Sequence, residues 1–287
     1  MQRQAFVVPR SRHPVVVTAA VTGSIASRDD SPALPVTWDE IVQASVESWQ
    51  AGAAIIHLHA RDEHGVPTQD RDTFALLIDR IRAQGCDAII NVSTGTAGGN
   101  CEDFDARLAP LALAPEMATI DCGSTNFGDN RILQGPYYFL QQAARMMREL
   151  SVVPEIEVFD CAMVENGHRL IEEELIDPPG VWQICLGVPG GSPGDLQSVS
   201  HFISRLPEGA FWSILGVGRF QLPLNLISLA YGGHVRTGME DNVYYRPGEL
   251  AGGNAQLVER IVRLAEEMGR PVASPAEARE LVGVRRS

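Results

Sequence analysis

The sequence predicts an α/β fold, a single (β/α)8 TIM barrel. Two observations lead to it. Apolar, β-branched runs alternate with amphipathic stretches about eight times over ~250 residues, the count of a closed parallel barrel. Polar and charged side chains also recur where the apolar runs end and loops begin, which is where such barrels keep their chemistry. A doubly wound open sheet is the alternative, but it usually carries Gly-X-Gly-X-X-Gly after its first strand, and this chain does not. No composition shift is long enough for a linker. Residues 1–287 therefore read as one domain, with 1–13 as an N-terminal tail and 274–287 as a C-terminal helix and tail.

Residues 14–20 form the first strand, running into Thr22-Gly23-Ser24. Thr37 is a plausible N-cap with Glu40 three residues on, a capping box that opens a helix to Gln50, ended by Gly52. The second strand is Ala53-Ala54-Ile55-Ile56-His57-Leu58-His59, followed by a helix over 70–84. Residues 87–93 make the third strand, which empties into a glycine-rich loop at 94–99, and 102–111 a short helix. The fourth strand is 116–121, and a long amphipathic pattern predicts a helix over 132–150. Strand 152–159 and helix 161–174 follow, then strand 181–186 and helix 196–206. Strand 211–215 turns through Gly216-Val217-Gly218-Arg219 into a helix ending near Gly232. The last strand is 234–237, with a helix over 256–268 and a closing helix at 274–282 opened by Ser274-Pro275.

The net charge of -13 argues against binding nucleic acid through a general basic surface. No apolar run reaches membrane-spanning length and no signal-peptide core is visible, so a soluble cytoplasmic protein is expected. The 5 cysteines are scattered without a Cys-X-X-Cys pair, which suits reduced thiols. All 23 basic residues are arginine. The absence of lysine excludes Schiff-base aldolases, pyridoxal-phosphate enzymes and Walker-type phosphate loops. Carbonyl activation must come from a metal or from hydrogen-bond donors.

His57 and His59 are two apart on a strand, so both imidazoles face the same side. They make half of a divalent-metal site. A third ligand must come from the same barrel mouth, and Glu155, Glu157, Glu240 and Asp241 are the candidates. The segment 232–242 packs Arg236, Glu240 and Asp241 around a glycine, so that one carboxylate could ligate while the other pairs with Arg236 and acts as a base. Thr22, Ser93, Thr94, Thr119, Asp121 and Arg219 fall at the same mouth. Glu157 on an inward face is expected to meet substrate or an arginine, because an unpaired buried carboxylate is costly. Gly187-Val188-Pro189-Gly190-Gly191 exposes backbone N–H groups that suit a phosphate or thioester oxygen, with Gly190 and Gly191 as the candidate contacts. His234 opens its strand at the far end and reads as structural.

Taken in order, several segments resemble the β-keto acid cleavage enzyme family. They are Thr18-Ala19-Ala20-Val21-Thr22-Gly23, Ile56-His57-Leu58-His59-Ala60-Arg61, Asn91-Val92-Ser93-Thr94-Gly95 and Pro115-Glu116-Met117-Ala118-Thr119. Asn126-Phe127-Gly128, Pro154-Glu155-Ile156-Glu157, Gly187-Val188-Pro189-Gly190-Gly191, Gly233-His234-Val235-Arg236 and Glu240-Asp241-Asn242 continue the likeness.

The resemblance implies a zinc-dependent barrel enzyme with acetyl-CoA as co-substrate, a homo-oligomer with a tetramer favoured. It would convert a β-keto acid and acetyl-CoA to acetoacetate and the acyl-CoA of the remaining fragment. Carried over by position, His57, His59 and Glu240 match zinc ligands, Asp241 the general base and Arg236 its partner. Ser93, Thr119 and Glu157 match residues lining the substrate site. One position departs. Where the family's prototype has an acidic residue for a substrate ammonium, this chain has Ile25. An uncharged or apolar substrate tail is therefore expected. The competing readings are a metal-dependent aldolase or lyase without CoA, an amidohydrolase-type metal hydrolase, which would want further histidines and often a lysine, and a non-catalytic barrel.

Overall fold

A computed structural model describes residues 13–95 and 103–284. Eight parallel strands close into a barrel. They are β1 Val17–Ala20, β2 Ile55–Leu58, β3 Ile89–Val92 and β4 Met117–Asp121. The second half is β5 Val153–Val158, β6 Val181–Leu186, β7 Phe211–Gly216 and β8 His234–Thr237. Spatial order follows chain order, and β1 closes the cylinder on β8 through Val17–Val235 and Thr18–Arg236. This is the (β/α)8 barrel that the strand count predicts.

The helices between strands are α1 Trp38–Gln50, α2 Arg71–Ala83, α3 Phe104–Leu108 and α4 Tyr137–Glu149. They continue as α5 Cys161–Glu172, α6 Leu196–Arg205, α7 Gln221–Ala230 and α8 Asn254–Glu267, before the C-terminal α9 Pro275–Val282. Thr37 and Glu40 form the expected capping box on α1, and Ser274 with Glu277 another on α9. Each satisfies N–H groups that a helix start leaves without partners.

Alternation along the strands divides the core. Outward residues such as Ile56, Leu58, Ile90, Val92, Ile156 and Ile184 pack under the helices. Inward residues at the strand starts, Val16, Ile55, Ile89, Met117 and Val181, form a separate apolar plug covered by Ala278 and Val282 of α9. One end of the barrel is thus sealed by burial of apolar surface. Above the plug the interior turns polar: Asn91 donates to Glu155 at 2.6 Å and Ser213 to Gln183 at 2.7 Å. Chemistry is left to the opposite mouth.

Three segments differ from the sequence expectation. The helix expected over 132–150 starts only at Tyr137 after Pro136, because Ile132–Leu133 pairs antiparallel with Thr125–Asn126 instead. The helix expected over 102–111 is α3 followed by a 3-10 segment, Ala109–Leu113, with Pro110 in its first turn. The helix expected from 256 begins at Asn254, whose side chain accepts from Met239 N–H and donates to the Val21 carbonyl. The expectations for most of the N-terminal tail and for the glycine loop beyond Gly95 lie outside the described residues.

Candidate metal centre and substrate cavity

At the open mouth lies a cavity of about 290 Å³. β2 delivers His57 to its floor, and the alternation of the strand puts His59 on the same side, with ring centroids 5.1 Å apart. Glu240 arrives from the loop after β8. Its Oε1 lies 3.5 Å from Nε2 of His57 and 3.4 Å from Nε2 of His59. The ligand atoms of these three residues all fall within 4.8 Å of one another.

Two glycines make this approach possible. Gly238 has φ 141°, and a Cβ there would meet the Ala20 carbonyl oxygen at 2.1 Å, so the loop can lie directly on the end of β1. Glu240 N–H then donates to that same carbonyl. A Cβ on Gly23 would sit 2.5 Å from Cγ of Glu240, so the β1 loop also has to be bare. Arg61 holds that loop by donating to Thr22 Oγ1 and to the carbonyls of Gly23 and Ala26.

The donor set fits a divalent cation. A tetrahedral zinc with bonds of about 2.0–2.1 Å separates its ligand atoms by roughly 3.3–3.4 Å, and the carboxylate-to-imidazole distances match this. Oε2 of Glu240 is buried without a hydrogen-bond partner, an orphan that a cation would satisfy. Burial, reinforced by Arg236, lowers the His57 pKa to about 4, so its imidazole is neutral and able to ligate at neutral pH.

Arg236 organises the carboxylates. Its Nε and Nη2 take both oxygens of Asp241 at 3.0 Å, Nη1 meets Glu157 at 3.0 Å and Nη2 meets Glu240 at 2.7 Å. Burial raises the Asp241 pKa despite the opposing pull of Arg236. Burial also raises Glu157, opposed by Arg236 and reinforced by neighbouring Asp121. Asp121 is in turn 3.4 Å from the fully buried Arg107, which donates to the carbonyl of Thr94.

The cavity brings together His57, His59, Ser93, Glu157, Arg236, Glu240, Asp241 and Ile25. It does not have Thr119, Gly190 or Gly191 on its surface. Thr119 lies beneath, with its Oγ1 accepting from Thr94 N–H. Gly190 backs the wall: a Cβ there would fall 2.2 Å from the Asn126 carbonyl oxygen, and Val188 and Pro189 face the cavity instead. Glu155, one pleat below Glu157, is tied to Asn91. His234 is far from this mouth; it accepts from Val16 N–H and stacks on Phe211 at 3.9 Å. Phe127, Arg131, Ile132, Leu133 and Phe159 also line the cavity, and the sequence reading did not single them out. No periodicity marks them, because the 125–133 hairpin that carries most of them bends over the mouth through pairing with itself.

Fold and site together define a (β/α)8 barrel enzyme with a candidate divalent-cation centre at its C-terminal mouth. The model of the beta-keto acid cleavage enzyme family matches residues 14–284, and the chain belongs to that family. A 3-keto-5-aminohexanoate cleavage enzyme of Fusobacterium nucleatum subsp. nucleatum is 42% identical over 273 residues, covering 95% of this chain and 98% of the relative. A 3-oxoadipate:acetyl-CoA acetyltransferase of Cupriavidus necator is 36% identical, covering 94% and 95%. Among solved structures, ObcA in ternary complex with a C4-CoA adduct and oxalate has a TM-score of 0.76 at 22% identity, covering 88% of this chain and 68% of that one. The last likeness is one of fold.

Proposed function

We propose that this single-domain barrel is a zinc-dependent enzyme that condenses a β-keto acid with acetyl-CoA and releases acetoacetate and an acyl-CoA. The observation that carries the reading is the convergence of His57, His59 and Arg236 on one oxygen of Glu240, with Asp241 held by the same guanidinium. His57, His59 and Glu240 would hold the metal. When bound, zinc supplies Lewis acidity toward the keto and carboxylate oxygens and acidifies the carbon between them.

Asp241 takes the proton from that carbon. Its two oxygens are oriented by the fork of Arg236, and its burial favours the protonated form that results. The carbanion attacks the acetyl carbonyl and expels the CoA thiolate. The thiolate then adds to the original keto carbon, the carbon–carbon bond breaks, and acetoacetate leaves after taking the proton back from Asp241. Ser93 and Glu157 face this chemistry from the cavity wall. Thr119 supports it through Thr94, and Gly190 and Gly191 through the position of Val188 and Pro189. Ile25 cannot neutralise an ammonium, so the tail of the substrate is not aminated. Among the described residues no helix is long and apolar enough to cross a membrane. A cytoplasmic homo-oligomer, a tetramer, completes the proposal.

The test is to incubate zinc-loaded protein with β-keto acids with and without acetyl-CoA. Acetoacetate formed only when acetyl-CoA is present supports the proposal. Cleavage without it would make the protein a metal-dependent aldolase or lyase. A clear preference for an aminated keto acid over its deamino counterpart would defeat the assignment of the tail.

A further inference from the structure

Arg131 is a cation that the reaction above does not use. It precedes Ile132–Leu133 in the hairpin over the mouth and lines the cavity, half-buried. Among the described residues nothing partners its guanidinium. Arg236, which lines the same cavity, is neutralised by Glu157, Glu240 and Asp241, and the nearby Arg107 is paired with Asp121. The hairpin is anchored rather than loose. Gly128 N–H donates to the Pro189 carbonyl at 2.8 Å, Thr125 Oγ1 to the Gly190 carbonyl at 3.0 Å, and Phe127 packs on Phe159 at 5.7 Å between centroids.

Part of the lining of this cavity is apolar. Ile25, Phe127, Ile132, Leu133 and Val188 share the cavity with Arg131. Arg131 is only partly exposed, so a carboxylate brought to its guanidinium inside the cavity is screened less than it would be in open water. In the proposed reaction the carboxylate and keto oxygens would face the cation held by His57, His59 and Glu240, which would leave the tail to the walls that hold neither these residues nor Arg236. Those walls include the hairpin, Ser24 and Ile25, and Val188 and Pro189, and the carboxylates of Asp121 and Glu157 that also line the cavity are paired with Arg107 and Arg236.

We infer that Arg131 binds a carboxylate at the far end of the substrate tail, so that the preferred β-keto acid is a dicarboxylate. The inference rests on the proposed cleavage reaction and narrows its substrate. The tail carries no ammonium, lays its carbons on apolar surface and ends on a planar fork that takes a carboxylate through two parallel hydrogen bonds. Ile25 disfavours an ammonium on the tail but sets no bar to a carboxylate that Arg131 can meet.

The test compares 3-oxoadipate with 3-oxohexanoate, acids of equal chain length that differ in the terminal carboxylate, on the zinc-loaded protein and on Arg131→Gln. The wild type should favour the dicarboxylate. Arg131→Gln should lose about tenfold to a hundredfold in kcat/KM for it, with little change for 3-oxohexanoate or in the KM for acetyl-CoA. An equal loss on both acids would overturn the inference. So would a raised KM for acetyl-CoA with the keto acids unaffected, which would give Arg131 to a phosphate of CoA. Calorimetric binding of each keto acid without acetyl-CoA separates the two claims. If neither acid is turned over, the proposed reaction fails, while a binding preference for the dicarboxylate that disappears in Arg131→Gln still upholds Arg131. No such preference in binding or in turnover refutes it.

Discussion

Nη2 of Arg236 donates to Oε1 of Glu240 at 2.7 Å, and that one oxygen also faces Nε2 of both His57 and His59. The residue that orients the candidate base therefore also orients the candidate metal ligand. Arg236 is on β8 and the histidines enter from β2, so the contact ties together strands that are separated by β1 in the barrel wall.

Removing Arg236 should accordingly damage both functions. Arg236→Met leaves Glu157, Glu240 and Asp241 buried without their shared cation, and breaking such a network costs about 3–5 kcal/mol. Denaturant unfolding of the metal-free protein should show that loss, and metal analysis should show weaker retention of zinc. A variant as stable as the wild type, with normal metal content, would contradict the organising role.

The ligand and base assignments separate cleanly. His57→Ala, His59→Ala and Glu240→Gln should each lose metal, measured by elemental analysis after dialysis. Asp241→Asn should keep the metal and lose about 10²–10⁴-fold in turnover, the usual contribution of a positioned proton acceptor. Full activity with retained metal in His57→Ala, or near-normal rates in Asp241→Asn, would remove those residues from their roles.

Gly238 tests the loop geometry. With φ 141° and the Ala20 carbonyl 2.1 Å from where a Cβ would lie, Gly238→Ala must shift backbone against backbone. The strained conformation alone costs about 1–3 kcal/mol. The displaced loop carries Glu240, so zinc affinity should fall along with the melting temperature. Unchanged affinity would mean that the loop can carry Glu240 to the histidines by another path.

His234 gives the fold a pH dependence away from the site. Burial, with Arg270 beside it, lowers its pKa from 6.5 to about 3. The unfolded chain then binds a proton below pH 6.5 that the folded chain refuses, so stability rises with pH through this window. The contribution is complete above 6.5 and is lost as pH falls toward 3. His234→Asn should flatten the dependence of melting temperature on pH between about 6.5 and 4. An identical slope in the variant would assign the effect elsewhere.

The barrel, the histidine pair and the family were legible from the residues because each rests on local or repeated signals. A strand has period two, so His57 and His59 share a face wherever the strand is placed. Eight apolar runs with helices between them permit few other closures. The hairpin at 125–133 was not legible. Ile132 and Leu133 fit a helical period as well as a strand, and their pairing with Thr125 and Asn126 outcompeted the helix up to Pro136. The polar mouth positions were legible only as a group: Ser93 directly follows β3 and Thr119 lies on neighbouring β4, yet one lines the cavity and the other lies beneath it.

By itself, then, the amino-acid order determined the architecture, the lysine-free chemistry and the two imidazoles. From the residues without the family likeness, four carboxylates remained equal candidates to complete the metal centre. Only the tertiary structure brought Glu240 to the histidines, tied Glu155 to Asn91 beneath them and left Arg131 without a partner among the described residues. The reason is distance along the chain. Glu240 reaches its place through the carbonyl of Ala20 and the bare backbone of Gly23, contacts that exist only once the first and last strands have closed the barrel.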